Sequence, residues 1–223
     1  MGDTKTTFED DPVLAVFKIG RQRHIDELVA EGHVYMNPAS YFRTLEGTLS
    51  QADPHEAASY ALAADGATFS VERDGTFVPI ATLAGPIVGL DPDLVKANLY
   101  CLHSRRRSDD DVFSLERLNF GEAAALFRDF DEFLRRLTRS VQAAGYELQH
   151  RPVEYVDPKS HRGPMGLFRK FAHYAAQGEW RIAVLPGTGK PLSFRLGDLS
   201  DIAMVIPTKG NLKLRPKVHR SDA

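Results

Sequence analysis

The run Gln177-Gly178-Glu179-Trp180-Arg181-Ile182-Ala183-Val184-Leu185 constrains the fold more than any other stretch of the chain. Trp180, Ile182 and Val184 alternate with Glu179, Arg181 and Ala183, and a period of two sends the two sets to opposite faces of a strand. The Trp face belongs in a core, while a carboxylate and a guanidinium leave the other face side by side. Two readings are open. An exposed ion pair of this kind contributes well under about 1 kcal/mol; alternatively, Glu179 is a catalytic carboxylate at the mouth of a buried strand. Upstream, Leu167, Phe168, Phe171, Ala172 and Ala175 have helical spacing, which predicts a helix over residues 165–177 with Lys170 on its polar side and a short turn at Gly178.

At 223 residues the chain can bury one sizeable core, and no Pro/Ser-rich linker divides it. The expected organisation is a flexible acidic arm over residues 1–12, one domain over 13–208 and a frayed basic tail over 209–223. A first strand over 13–19 is interrupted only by Lys18, and a helix over 23–30 is closed by Gly32. A strand over 33–36 turns at Asn37-Pro38. Asp74-Gly75 marks a hairpin between 67–71 and 76–80. Strands are expected at 99–104 and 112–115, residues 122–127 are open between strand and helix, and the charged segment 105–111 reads as a mobile, solvated loop. Asp129 with Glu132 forms a capping box for a helix ending near Ala143 and Gly145. Strands over 152–156, 179–185, 192–196 and 202–206 complete the pattern. Many short strands in runs with few helices describe a single α+β domain with a mainly antiparallel sheet, whole or split in two, and a few flanking helices.

Composition narrows the function classes. A net charge of -2 means that any nucleic-acid contact is local. The single cysteine, Cys101, excludes an internal disulfide; with no signal-like opening segment, the expected compartment is the reducing cytoplasm. No apolar run approaches the roughly 18 residues of a membrane helix. P-loop, HExxH and GxSxG motifs are missing, and Gly187-Thr188-Gly189-Lys190 reads as a hairpin turn. Asp53, His55 and Glu56 could ligate a hard metal or form a solvated loop.

What remains is spread along the chain: Lys18 on the first strand, Tyr35 and Tyr41 around the second, Ser104 at the end of a central strand, and Gln177 and Glu179 late. This order resembles the ADP-ribosyltransferase fold, especially small bacterial toxins of the DarT type. It also resembles uncharacterised bacterial domains with an opening aromatic-Lys strand and a closing Lys-x(n)-Gln-x-Glu-aromatic-Arg strand, which Lys170 and Gln177 to Arg181 match. The first resemblance implies an NAD-consuming transferase or glycohydrolase, acting as a toxin or phage-defence effector on a nucleic-acid or protein acceptor and accompanied by an antitoxin. Lys18 then stands where the family places an Arg or His against the NAD diphosphate or ribose. Tyr41 stacks on nicotinamide, Glu179 stabilises the oxocarbenium-like transition state and Gln177 orients the acceptor. Tyr35, Ser104 and Arg181 complete the implied NAD-binding set. Two other classes stay open. One is a non-catalytic nucleic-acid or interaction module using Arg105 to Arg107, Arg135, Arg136, Arg139 and the basic tail. The other is a nuclease with Asp53, Glu56 and Glu179 around a divalent ion.

Overall fold

The computed structural model describes residues 11–45 and 52–213. β1 (Val13–Gly20) leads into α1 (Gln22–Glu31), and β2 (His33–Pro38) runs into the short helix α2 (Ala39–Thr44). β3 (Ala58–Leu62), β4 (Thr68–Arg73), β5 (Thr76–Thr82) and β6 (Ile87–Leu90) follow. Next come β7 (Asn98–Arg106), β8 (Val112–Phe113), β9 (Ala123–Phe127) and α3 (Phe130–Ala143). β10 (Glu147–Pro152), β11 (Glu154–Val156), β12 (Arg162–Pro164), β13 (Arg169–Phe171) and β14 (Glu179–Leu185) precede β15 (Leu192–Arg195), β16 (Ala203–Pro207) and β17 (Leu212–Lys213).

The main sheet is antiparallel, in the order β10-β14-β7-β1-β9-β16, and it forks at β7. One edge of β7 pairs with β14 from Asn98 to His103. The other edge changes partner: residues 103–106 pair with β1, whereas Asn98 and Leu99 pair with β2, which in turn carries β15. Among the described residues, Tyr100, Cys101 and Leu102 have no strand partner on that edge. β1 meanwhile keeps its register with β9 through Gly20 and leans away from β7. At the end of β1, Gly121 approaches so closely that a Cβ would lie 2.2 Å from the Gly20 carbonyl, at a φ of +149° that favours glycine.

The Trp180, Ile182 and Val184 face packs against Ile25 and Leu28 of α1 and Phe133, Leu137 and Val141 of α3. Each large apolar side chain buried here contributes about 1.5–3 kcal/mol. α3 has the expected apolar stripe, and the Asp129 carboxylate accepts from the Glu132 N–H at 2.9 Å, so the cap is real. The opposite face is also covered: Leu99 and Ala183 meet Leu167 and Phe168, and Phe17 and Ile19 meet Leu115. Glu179 and Arg181 therefore enter a second core instead of leaving for water.

The fold class is as expected, and four local expectations are corrected. Residues 165–177 are not one helix: 3-10 turns at Gly166–Phe168 and Ala172–Gln177 flank the extended β13. Helical spacing arises there because Leu167 and Phe168 serve one apolar cluster and Phe171 another. Asn37-Pro38 leads into a helix, α2, instead of a simple turn. The charged segment is neither wholly loop nor unpaired. Arg105 and Arg106 belong to β7, the Arg106 N–H donates to Asp109 at 2.7 Å, Ser108 is held by Asp11, and the Arg105 guanidinium lies over Phe113. β10 adds a strand that sequence patterning did not reveal. Residues 122–127 resolve as strand β9, and the described start of the tail is tied down where β17 pairs β8. Residues 1–10 of the expected arm and 214–223 of the tail lie outside the described residues. Among the described residues no helix is long and apolar enough to cross a membrane.

Leu137→Ala, which empties a fully buried position on α3, is expected to cost about 2–5 kcal/mol in urea unfolding. Phe77→Thr, on the outward β4/β5 hairpin where the residue is 71% exposed, is expected to stay within about 0.5 kcal/mol.

Candidate functional site

The fork in the sheet opens into a cavity of about 760 Å³, within the range of about 300–1,000 Å³ usual for small-molecule sites. The unpaired β7 edge, Tyr100 to Leu102, lines it. Lys18 reaches into the gap, donating from Nζ to the Cys101 carbonyl at 2.9 Å and lying 4.1 Å from the Tyr100 ring centre. Burial lowers its pKa, although Glu179 acts in the opposite sense. Strand register places Phe17, His103 and Glu179 in one row on one face, so the pleat sends Lys18 to the other. Only because β7 is unpaired between them do Lys18 and Glu179 line one cavity.

Glu179 is aimed by a pinned turn. Gly178 has φ +48°, and a Cβ there would lie 2.9 Å from the Ser104 carbonyl, so glycine is required twice over. Its carbonyl accepts from the Ser104 N–H at 2.7 Å and the Ser104 hydroxyl at 2.8 Å. The Glu179 N–H donates to the Tyr155 hydroxyl at 2.9 Å, and the His103 ring bonds to the Gln177 carbonyl at 2.6 Å.

Beneath the cavity lies an ion network with almost no access to water. Arg181 donates to both oxygens of Glu56, at 2.6 and 2.9 Å, and from Nε to Glu179 at 2.6 Å. Lys170 Nζ lies 3.3 Å from Glu179, 3.6 Å from Glu56 and 3.7 Å from Asp53. It also donates to the Gln177 side chain at 3.0 Å. The network gathers three carboxylates, Asp53, Glu56 and Glu179, around two cations, Arg181 and Lys170. Burial by itself raises the Glu179 pKa, but Arg181 and Lys170 outweigh it and hold the carboxyl well below the usual range. Burial likewise lowers the Lys170 pKa, and Glu179 and Glu56 reverse that to keep the ammonium charged. Glu179 is thus a permanent anion at neutral pH, suited to stabilising positive charge and unsuited to donating a proton.

Of the residues singled out by sequence, Lys18, Tyr35, Tyr41, Gln177 and Glu179 come together on the cavity. Ser104 and Arg181 do not line it. Ser104 holds the Gly178 turn, and Arg181, 0% exposed, spends its guanidinium on Glu56, Glu179 and the Leu167 carbonyl; both sit behind the lining and hold residues that form it. Lys170, expected on the polar side of a helix, is buried in the network because β13 is extended. Sequence reading missed Glu56 as a partner of Arg181, and it missed the cavity-lining His103, Tyr100, Arg21 and Arg23. Glu56 had a signal, its DxxE spacing with Asp53, but nothing local linked it to a strand 125 positions away.

Asp53, Glu56 and Glu179, the carboxylates of the nuclease expectation, surround the Lys170 ammonium at 3.7, 3.6 and 3.3 Å. Among the described residues no cluster of three or more His, Cys, Asp or Glu has metal-holding geometry. Several cations expected to meet nucleic-acid phosphate are committed within the protein: Arg136 to Glu132 and Asp201, Arg135 to Glu132, and Arg105 to Asp109. Comparison with known proteins finds no matching family model, no matching curated protein and no matching solved structure.

Arg181→Met leaves Glu56 and Glu179 buried without their main partner and is expected to cost about 3–5 kcal/mol in urea unfolding at neutral pH. Because the folded pKa of Glu179 is depressed, its contribution is complete above its ordinary value of 4.5 and is lost as pH falls from there toward the folded value. Unfolding curves between pH 6 and pH 3 are therefore expected to show a decline in wild-type stability that is shallower in Glu179→Gln.

Proposed function

We propose that this cavity binds a dinucleotide of the NAD type and cleaves the bond between its ribose and nicotinamide, as a glycohydrolase or by transfer of ADP-ribose to an acceptor. The observation that carries this reading is the polarity of the cavity. An ionised carboxylate, Glu179, lies at the floor with Lys170 against it, Tyr35, Tyr41 and Tyr100 line the wall, and Lys18, Arg21 and Arg23, the last paired with Glu27, stand on the side of β1 and α1. A ligand with a cationic aromatic end and an anionic diphosphate has the complementary order of charge.

The chemistry follows from what Glu179 can and cannot do. As the glycosidic bond lengthens, positive charge grows on the ribose, and a fixed anion nearby lowers the energy of that state more than that of the bound substrate. Departing nicotinamide takes the bonding electron pair, which neutralises its ring, so no acid is needed to protonate it. Lys18, placed by the fork beside the unpaired edge of β7, supplies a point charge for phosphate, and the exposed rings of Tyr35 and Tyr41 offer stacking surfaces. Gln177, held by Lys170, is placed to orient an acceptor. A toxin or defence role, a nucleic-acid or protein acceptor and an antitoxin are suggested by the resemblance alone.

Incubation of pure protein with NAD is expected to release free nicotinamide. Glu179→Gln is expected to lower turnover by about 100-fold or more while NAD affinity changes far less, since the carboxylate acts chiefly on charge present in the transition state. Unchanged turnover in a Glu179→Gln protein that melts cooperatively would remove Glu179 from the chemistry, and a Glu179 whose loss only lowers the melting temperature is a structural ion.

A further inference from the structure

Cleavage at the ribose leaves one requirement that Glu179 cannot meet. The incoming nucleophile, water or an acceptor O–H or N–H, must lose a proton, and a carboxylate held ionised far below its normal range, with its oxygens taken by Arg181 and Lys170, is a poor base. Other groups in the cavity are also committed. Glu56 is chelated by Arg181, Glu27 is paired with both Arg23 and His33, and His24 is bonded to Arg23.

His103 is the exception. It pairs directly with Glu179 across β7 and β14, so the two Cβ atoms share a face about 4.5–5.5 Å apart. Its Nδ1 contacts the Gln177 carbonyl at 2.6 Å; a carbonyl only accepts, so Nδ1 carries the proton and Nε2 of the neutral ring is a lone-pair acceptor. Nε2 meets no partner among the described residues and is not closed off from solvent, although the residue as a whole is buried and its ring lines the cavity. A histidine serving only as core would have no reason to be locked in one tautomer with its basic nitrogen left open to a polar cavity.

We infer that His103 is the general base of this site, removing the nucleophile's proton as the nucleophile attacks the ribose. The inference rests on the proposed NAD-cleaving reading. In the step, the nucleophile's oxygen or nitrogen bonds to the ribose anomeric carbon, the carbon–nitrogen bond to nicotinamide breaks with its electron pair leaving on the ring nitrogen, and the proton goes to His103 Nε2. Glu179 and His103 thus divide the work: one stabilises charge on the sugar, the other takes charge from the attacker. The charged groups around the ring are Glu179 directly opposite on β14, with Lys170 of β13 bound to it, Arg105 two residues along β7, and Asp109 in the segment that follows β7; Lys18, next to the ring's β1 neighbour Phe17, lies on the other face. Burial, with Arg105 adding to it, moves the imidazole below its ordinary 6.5 against the pull of the Gln177 carbonyl and Asp109, so the base is unprotonated at neutral pH.

The test is the pH dependence of nicotinamide release from NAD between pH 4.5 and 8. Wild-type kcat/KM is expected to rise with unit slope and level off with an apparent pKa below 6.5. In His103→Gln, which keeps a side chain able to bond the Gln177 carbonyl, kcat is expected to fall by about 10²–10⁴-fold with little change in KM, and the acid limb is expected to vanish. A limb due to any other group would persist in that variant. Equal turnover and an unchanged limb in folded His103→Gln overturn the assignment while leaving the NAD reading intact. If the variant does not fold, the wild-type profile decides, and a flat profile through that window overturns it. Absence of nicotinamide release from wild-type protein at every pH removes the NAD reading and the base with it.

Discussion

A guanidinium shut away from water must be paired, because the penalty for leaving such a charge unmatched is several kcal/mol. Arg181 meets that requirement with Glu56 from the segment before β3, Glu179 at the start of β14 and the Leu167 carbonyl before β13. One side chain thereby ties three remote segments to the second face of the sheet. Lys170 then balances what Arg181 leaves, drawing Asp53 into the same network. Apolar residues of similar volume can often replace such a network without loss of stability; what they could not supply is a carboxylate fixed in place and held ionised beneath a cavity.

The fork in the sheet opens a cavity above that carboxylate. An uninterrupted antiparallel sheet would separate Lys18 from Glu179 by alternation, one on each face. Because β7 exchanges β1 for β2 along a single edge, three residues of backbone are left open, and the Lys18 ammonium takes the Cys101 carbonyl. The same opening exposes the floor where Glu179 and His103 stand in one row. Strand pairing and site chemistry are therefore one feature: a β1 that stayed with β7 through Gly20 would close the cavity.

The pinned turn at residues 177–179 connects the two. Ser104 and His103 on β7 hold the carbonyls of Gly178 and Gln177, and Tyr155 holds the Glu179 N–H. Small displacements of this turn would move Glu179, Gln177 and the His103 tautomer together, so these groups form a unit whose members respond jointly to change.

Features with a local cause were legible in the sequence. The alternation around Trp180 assigned that strand and its apolar face, Asp129 and Glu132 marked the start of α3, Gly32 closed α1, and Asp74-Gly75 made the hairpin, each because a period, a cap or a positive φ acts within a few residues. Lys170 was misplaced because the apolar spacing around it fits a helix as well as it fits three short elements feeding separate clusters. Beyond its DxxE spacing with Asp53, Glu56 carries no mark of its partner, and His103 carries none at all, since those partners lie 125 and 74 positions away. The sequence by itself determined a mainly antiparallel α+β domain and pointed to Glu179. Only the tertiary structure decided that Glu179 is a buried, permanently charged floor residue, that Lys170 and Arg181 hold it so, and that the sheet opens above it. Those outcomes depend on which strand edges pair and which charges must share a dry interior, and both are settled by long-range contacts that no local pattern encodes.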